Sequence, residues 1–196
     1  MKSPLALTLT LAGAAWLLSA CSTTTPQPLR SAGGFSPVSM DTVYVLPVVD
    51  ARTDKKLDLK VDQLQKTMTD SLKRKRYDTV VLSGSHLMAG LTDEDLRDPT
   101  HDWIRQTGPA EARWMMLLVV TELSRKLTFG STGNAEVSLA ILDRHQGTVV
   151  WEDKALGRAG QGGLLGMMLV STMDDEALAT AVRQVMHKIP SKPKRT

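Results

Sequence analysis

The 196-residue chain has a single cysteine, Cys21, and aromatic residues make up only 4% of it. One thiol excludes an intrachain disulfide and a cysteine-clustered metal site. The four histidines, His86, His101, His145 and His187, are scattered, with no pair spaced to put two metal ligands on one helix face. There is no Gly-rich phosphate loop, no Gly-x-Ser-x-Gly elbow and no clear carboxylate pair. The chain is therefore not expected to be an enzyme, and neither a metal nor another cofactor is expected. A strong charge of one sign is missing as well. Lys and Arg number 24 against 21 Asp and Glu, a net +3, and Lys188, Lys192, Lys194 and Arg195 all lie at the C-terminal end. So small an excess, with few aromatics to stack bases, argues against nucleic acid as a partner. What is present is ordinary: 42% hydrophobic and 23% charged residues, enough to build one core rather than a disordered chain.

Residues 1–20 carry Lys2, an apolar run over 5–18 and then small residues, the tripartite plan of a secretory leader. The run is shorter than the roughly 20 residues that span a bilayer comfortably. Leu18, Ser19 and Ala20 before Cys21 resemble the lipobox of bacterial lipoproteins. The resemblance implies cleavage before Cys21 and a diacylglycerol on its thiol, with further acylation by a fatty acid such as palmitate. Several acyl chains anchor firmly, where a single one binds only marginally. Ser22 follows the cysteine, with no Asp there. By the same resemblance this implies the outer membrane, with the protein lipid-anchored and facing the periplasm. A folded domain without a free thiol suits an oxidising compartment.

The chain after the leader divides into a lipidated cysteine with a flexible tether (21–41), one domain (42–189) and a basic, disordered tail (190–196). The tether is rich in Ser, Thr, Pro and Gly. Residues 43–49 (VYVLPVV) read as a buried strand, interrupted at Pro47 because proline cannot donate to a ladder. Residues 50–54 read as a loop. Val61, Leu64, Met68 and Leu72 mark the buried stripe of a helix over about 58–76. Its basic end, Lys73 to Arg76, reads as counter-charge to the helix dipole on a solvated face rather than as an anion-binding patch. Residues 77–82 form a second strand. Thr92 with Asp95, and Asp98 with Pro99, are capping signals for short helical turns, the second placing Trp103 and Ile104 against the core. The neighbours His101 and Asp102 do not face each other on a helix and have no nucleophile to serve.

Residues 114–121 (WMMLLVVT) are the most apolar stretch of the domain and predict a central strand. Residues 130–134 and 143–147 are dense in turn-forming residues, so two hairpins are expected to join strands over 135–142 and 148–156. Residues 157–163 read as flexible. A last helix is predicted with Ser171 or Thr172 as its cap, a buried stripe of Leu178, Val182, Val185 and Ile189, and Pro190 as its stop. The expected fold is α/β (α+β): a single domain with a mixed, mostly antiparallel sheet packed by two to three helices, in the order β-α-β-α-β-β-β-α.

The strand and loop over 43–53, the central apolar strand, and the phrase Leu142-Asp143-x-x-x-Gly147-x-Val149-Val150-Trp151 resemble a group of small envelope lipoproteins. These are related to the curli-secretion protein CsgG, and the same fold occurs in the TolB amino-terminal domain, LpoB and PelC. Residues 162–166 are similar to a segment in GNA-type lipoproteins of that group. The resemblance implies a non-catalytic, lipid-anchored periplasmic binding or accessory protein of an envelope assembly. Secretion, polysaccharide export and regulation of peptidoglycan synthesis are its settings. The alternative is an oligomeric ring component of an outer-membrane export system, so a homo-oligomer joins an unnamed envelope protein among the expected partners. A small periplasmic hydrolase ranks below both. The long apolar-polar hairpins with which the curli pore crosses a membrane are not evident. Leu164, Leu165, Met167, Met168 and Leu169, behind a glycine-rich lead-in, are the candidate partner contact, because methionines and a hinge suit an adaptable surface.

Overall fold

The computed structural model describes residues 28–84, 99–128, 130–162 and 170–194. Its strands are β1 (Arg30–Ser31), β2 (Thr42–Val45), β3 (Val49–Asp50), β4 (Asp78–Val81), β5 (Trp114–Thr128), β6 (Gly130–Asp143) and β7 (Thr148–Gly162). The helices among the described residues are α1 (Val61–Arg74), α2 (His101–Gln106) and α3 (Val170–His187), with a 3-10 turn at Pro37–Ser39. All seven strands join one mixed sheet in the order β1-β7-β6-β5-β2-β4, and β3 pairs with β5 beyond the end of β2. The pairs β2–β4, β2–β5 and β3–β5 are parallel, whereas β5–β6, β6–β7 and β1–β7 are antiparallel. The expected α+β class and element order are thus present, with the short strands β1 and β3 added.

Pro47 breaks the first strand as its missing donor requires. Val43 pairs with Trp114 before it and Val49 with Val119 after it, a shift of one residue. The apolar half of β5 is buried on both faces. Met116, Leu118 and Val120 face α1 and α3, while Met115, Leu117 and Val119 face α2. An irregularity at Thr121, between Val120 and Glu122, then changes the alternation. It turns Leu123 into the α3 core and leaves Glu122 exposed.

Two glycine-rich stretches expected to be turns or flexible are strand instead. Residues 130–134 lie within β6 and 157–162 within β7. Helix α3 explains both, because it crosses so close that a side chain does not fit. A Cβ on Gly133 would lie 2.5 Å from the Met173 carbonyl oxygen, and one on Gly157 only 1.8 Å from that of Ala177. Ala177 and Ala181, both fully buried, supply the matching small face of the helix.

The chain ends also depart from expectation. The folded part begins before Thr42, since Arg30 and Ser31 pair with Glu152 and Trp151. Pro37 and Met40 are buried, and the Phe35 ring lies 5.4 Å from that of Trp114. The tail is docked as far as Lys192, whose N–H donates to the Lys75 carbonyl at 2.9 Å. The N-cap of α2 is Thr100 rather than Asp98, and its hydroxyl accepts the Trp103 N–H. Helix α3 begins at Val170, so Ser171 and Thr172 lie inside it. The Thr92–Asp95 signal lies outside the described residues.

Candidate functional site

The two ends of the long β5-β6-β7 ribbon carry different features. Trp114, Asp143 and Thr148 define one end by their register, and Thr42 and Asp78 continue that row on β2 and β4. The opposite end is the ribbon tip, where Gly130 pairs with Gly162 and Thr128. From Trp151 to Gly162 the ribbon extends roughly 36 Å at the usual strand rise.

The described flanks of the candidate contact segment lie at the tip. Leu164, Leu165, Met167, Met168 and Leu169 themselves lie outside the described residues, but both flanks are fixed. One is the end of β7, and the other is the start of α3. The Arg125 guanidinium donates through Nε to Asp174 Oδ2 at 2.8 Å and pairs through Nη2 with the same oxygen. Hydrogen bonding to Asp174 pushes the Arg125 pKa up. Lys60, ahead of α1, pairs with Asp175. Two ion pairs therefore tie α3 to β5 and to the loop before α1, next to the segment. Asp174 is only 4% exposed, so its charge must be matched. Its reach to Arg125 is a long-range contact without a local signal.

The other end holds the turn of the Leu142–Trp151 phrase. Asp143 Oδ1 accepts the N–H groups of His145 at 2.9 Å and Gln146 at 3.1 Å, closing an Asx turn. Gly147 has φ +69°, the left-handed conformation that glycine favours. Arg113 Nη2 reaches Asp143 Oδ2 at 3.4 Å, and its guanidinium carbon lies 4.4 Å from the Trp114 ring centroid. Cys21 and the lipobox residues Leu18, Ser19 and Ala20 lie outside the described residues.

Other charged residues, some buried and some exposed, are held in ion pairs. Arg52, 3% exposed, holds Asp50 through two hydrogen bonds of 2.7 and 2.8 Å and donates also to the Leu57 carbonyl. Burial raises the Asp50 pKa, but the bonds from Arg52 outweigh it and hold the carboxyl below the usual range. Asp54 is taken up by Lys56 at 3.2 Å, and Asp153 by Lys188 at 2.9 Å. On the α2 face a groove of about 260 Å³ is lined by Leu117, Val119, Thr121, Glu136, Ser138 and Glu152 among others. There the Ser138 hydroxyl donates to Glu152 Oε1 at 3.2 Å, a cross-strand pair with no histidine in the lining. His101 and Asp102 are exposed on α2. Among the described residues no three His, Cys, Asp or Glu side chains group as metal ligands, and no helix is long and apolar enough to cross a membrane.

The chain is similar to several solved structures. The PelC dodecamer from Paraburkholderia phytofirmans is similar at 14% identity and a TM-score of 0.50, over 84% of this chain and 95% of that one. Lipoprotein GNA1162 from Neisseria meningitidis is similar at 17% identity and a TM-score of 0.48, over 76% and 99%. The LpoB C-terminal domain from Salmonella enterica is similar at 14% identity and a TM-score of 0.40, over 64% and 86%. No family model matches the chain, and no curated protein matches it by sequence. At these identities the likeness is one of fold.

Proposed function

We propose that this chain is a non-catalytic, lipid-anchored accessory protein of a cell-envelope assembly, held by acyl chains on Cys21 at the outer membrane and facing the periplasm. The observation that supports the reading lies at the ribbon tip, where the described flanks of the 163–169 segment are both held: β7 pairs with β6 as far as Gly162, and Arg125 holds Asp174 near the start of α3. Strand β1 runs antiparallel to β7, with Arg30 at Glu152 and Ser31 at Trp151, so going back from Ser31 to Arg30 leads in the direction of that tip. The methionine-rich stretch between the two flanks is read as the contact for a partner. The buried carboxylates support a binding role, because Asp143, Asp153 and Asp174 are each engaged by a cation. The fold it shares with the PelC dodecamer supports an envelope setting.

The test is crosslinking in intact cells. The wild type captures an envelope protein, Leu165→Ser/Met168→Ser loses it while staying folded, and Cys21→Ala releases the chain from the membrane fraction. Capture that survives the double substitution sinks the contact assignment, and a double mutant that unfolds places the segment in the core. A membrane-bound Cys21→Ala chain sinks the anchor.

A ring of identical subunits is the second reading, favoured by strand β4. It is an edge strand of the sheet, and its Val80 and Val81 are 40% and 46% exposed. An exposed apolar edge is a surface for a second copy of the chain. Analytical ultracentrifugation of the wild type against Val81→Lys separates a ring from a monomer.

A further inference from the structure

We infer that the two free edges of the sheet fit each other, so that β4 of one copy of this chain adds in parallel to β7 of the next. The exposed large apolar side chains among the described residues stand at these edges. Val80 and Val81 are on β4, Leu156 is on β7 and 58% exposed, and Leu29 lies beside β1. The β7 edge is open because β1 stops early. Arg30 pairs with Glu152, and by that register Pro28 falls opposite Lys154 with no N–H to donate. The Lys154 peptide groups are served within the chain instead. Its N–H donates to Asp153 Oδ1 at 2.7 Å, and its carbonyl accepts from Lys188 Nζ at 2.9 Å. Among the described residues no strand pairs with β7 on that side beyond Glu152.

Direction, hydrogen-bonding parity and face all agree. Strands β2, β4 and β5 run one way, β6 runs the other, and β7 returns to the direction of the first three. A second copy in the same orientation therefore lays its β4 parallel to β7. The Ala32 N–H donates to the Val150 carbonyl at 2.9 Å, so alternate residues from Val150 through Glu152 to Leu156 and Arg158 aim their peptide groups out of this edge. On β4 the Leu82 N–H donates to the Val45 carbonyl at 2.9 Å, which leaves Thr79 and Val81 to aim theirs outward. In a parallel ladder a residue bonds to the two neighbours of the one opposite it. Leu156 thus bonds to Thr79 and Val81 of the next copy, with Val80 opposite. These two apolar side chains share a face as well. Leu82 packs in the α2 cluster, while Ala155 and Ala159 pack in the other, which puts Val80 and Leu156 both on the α2 side. The same register sets Asp78 opposite Lys154, a favourable pair, whereas two β7 edges meeting about Leu156 would set Lys154 against Arg158. Because the two surfaces differ, the contact is heterologous, the type that generates rings. It rests on the reading of the chain as a ring subunit and names the surface that β4 meets.

The sheet and both of its apolar cores lie within residues 28–194, so the chain from Ser22 onward, which has no cysteine, is the protein to use. Val80→Cys and Leu156→Cys are purified separately, mixed, and oxidised in air with copper phenanthroline. Paired strands bring the two Cα atoms to about 4.8 Å, within the span of a disulfide. The mixture gives a disulfide-linked dimer that neither variant alone gives in comparable yield, and the chain carrying both substitutions gives a ladder of multimers. Gly160→Cys, roughly 13 Å further along β7, gives no dimer with Val80→Cys. All three positions are exposed. Melting curves establish that the variants are folded, and Asp78→Cys with Lys154→Cys replaces a pair that is not. The pairing is overturned by no dimer in the mixture, by an equal yield from either variant alone, or by an equal yield with Gly160→Cys. Sedimentation of the unsubstituted chain separates the causes. An assembled chain without the crosslink sinks the β4–β7 contact alone, and a monomer sinks the ring reading with it.

Discussion

The carbonyl oxygen of Ala177 lies 1.8 Å from the point where a Cβ on Gly157 would stand, so the absence of one methyl group fixes how closely α3 rests on β7. Gly157→Ala forces the helix off the sheet and is expected to destabilise the domain by more than about 3 kcal/mol. Gly160→Ala, three residues along the same strand, meets nothing nearer than the Thr132 hydroxyl at 3.4 Å and is expected to be tolerated. Urea unfolding of the two variants checks the contrast.

Arg125→Ala leaves the nearly buried Asp174 without its cation. The expected loss is about 3 kcal/mol, and Arg125→Ala with Asp174→Asn recovers part of it, because the cost lies in the unpaired charge. Denaturant midpoints of the two single variants and the double measure this. No recovery in the double argues that packing at the tip, rather than charge, is what Arg125 supplies.

Asp143→Ala removes the acceptor of two turn N–H groups and the partner of Arg113, and is expected to cost about 2 kcal/mol. A thermal melt unchanged from the wild type contradicts the role given to the turn.

Burial pushes the Tyr77 pKa up from 10.0 to about 12. A folded-state pKa above the unfolded one means that the stability due to this group is complete below pH 10 and is lost as the pH rises toward about 12. Stability measured across that window is expected to fall in the wild type, and by less in Tyr77→Phe. Equal slopes for the two proteins contradict the assignment.

The sheet's centre is plain from the residues, because WMMLLVVT cannot be satisfied except between two apolar layers, and Pro47 marks its own break. The length of the ribbon is hidden for a physical reason. Past Thr121 the strand changes from two-sided burial to a partly exposed pattern, and its continuation through Glu122, Ser124 and Lys126 looks polar. Gly133 and Gly157 carry the same local signal whether the chain turns or another backbone comes close, and only the position of α3 decides between them. Likewise residues 30–40 lack apolar periodicity, so their pairing with β7 and the fit of Phe35 against Trp114 depend on partners more than 70 residues away. The candidate contact at 164–169 is read from composition alone, while Lys192 meets the end of α1 at the Lys75 carbonyl only in three dimensions.

For a chain anchored at Cys21 as proposed, strand β1 shortens the tether. With Arg30 fastened to Glu152, roughly nine residues separate the domain from Cys21, at most about 30 Å of fully extended chain. A domain on so short a leash explores a shell only nanometres deep, where its effective concentration toward a neighbour in the same membrane reaches the millimolar range. An intrinsic affinity far too weak to survive dilution in a test tube is then sufficient for a partner anchored nearby.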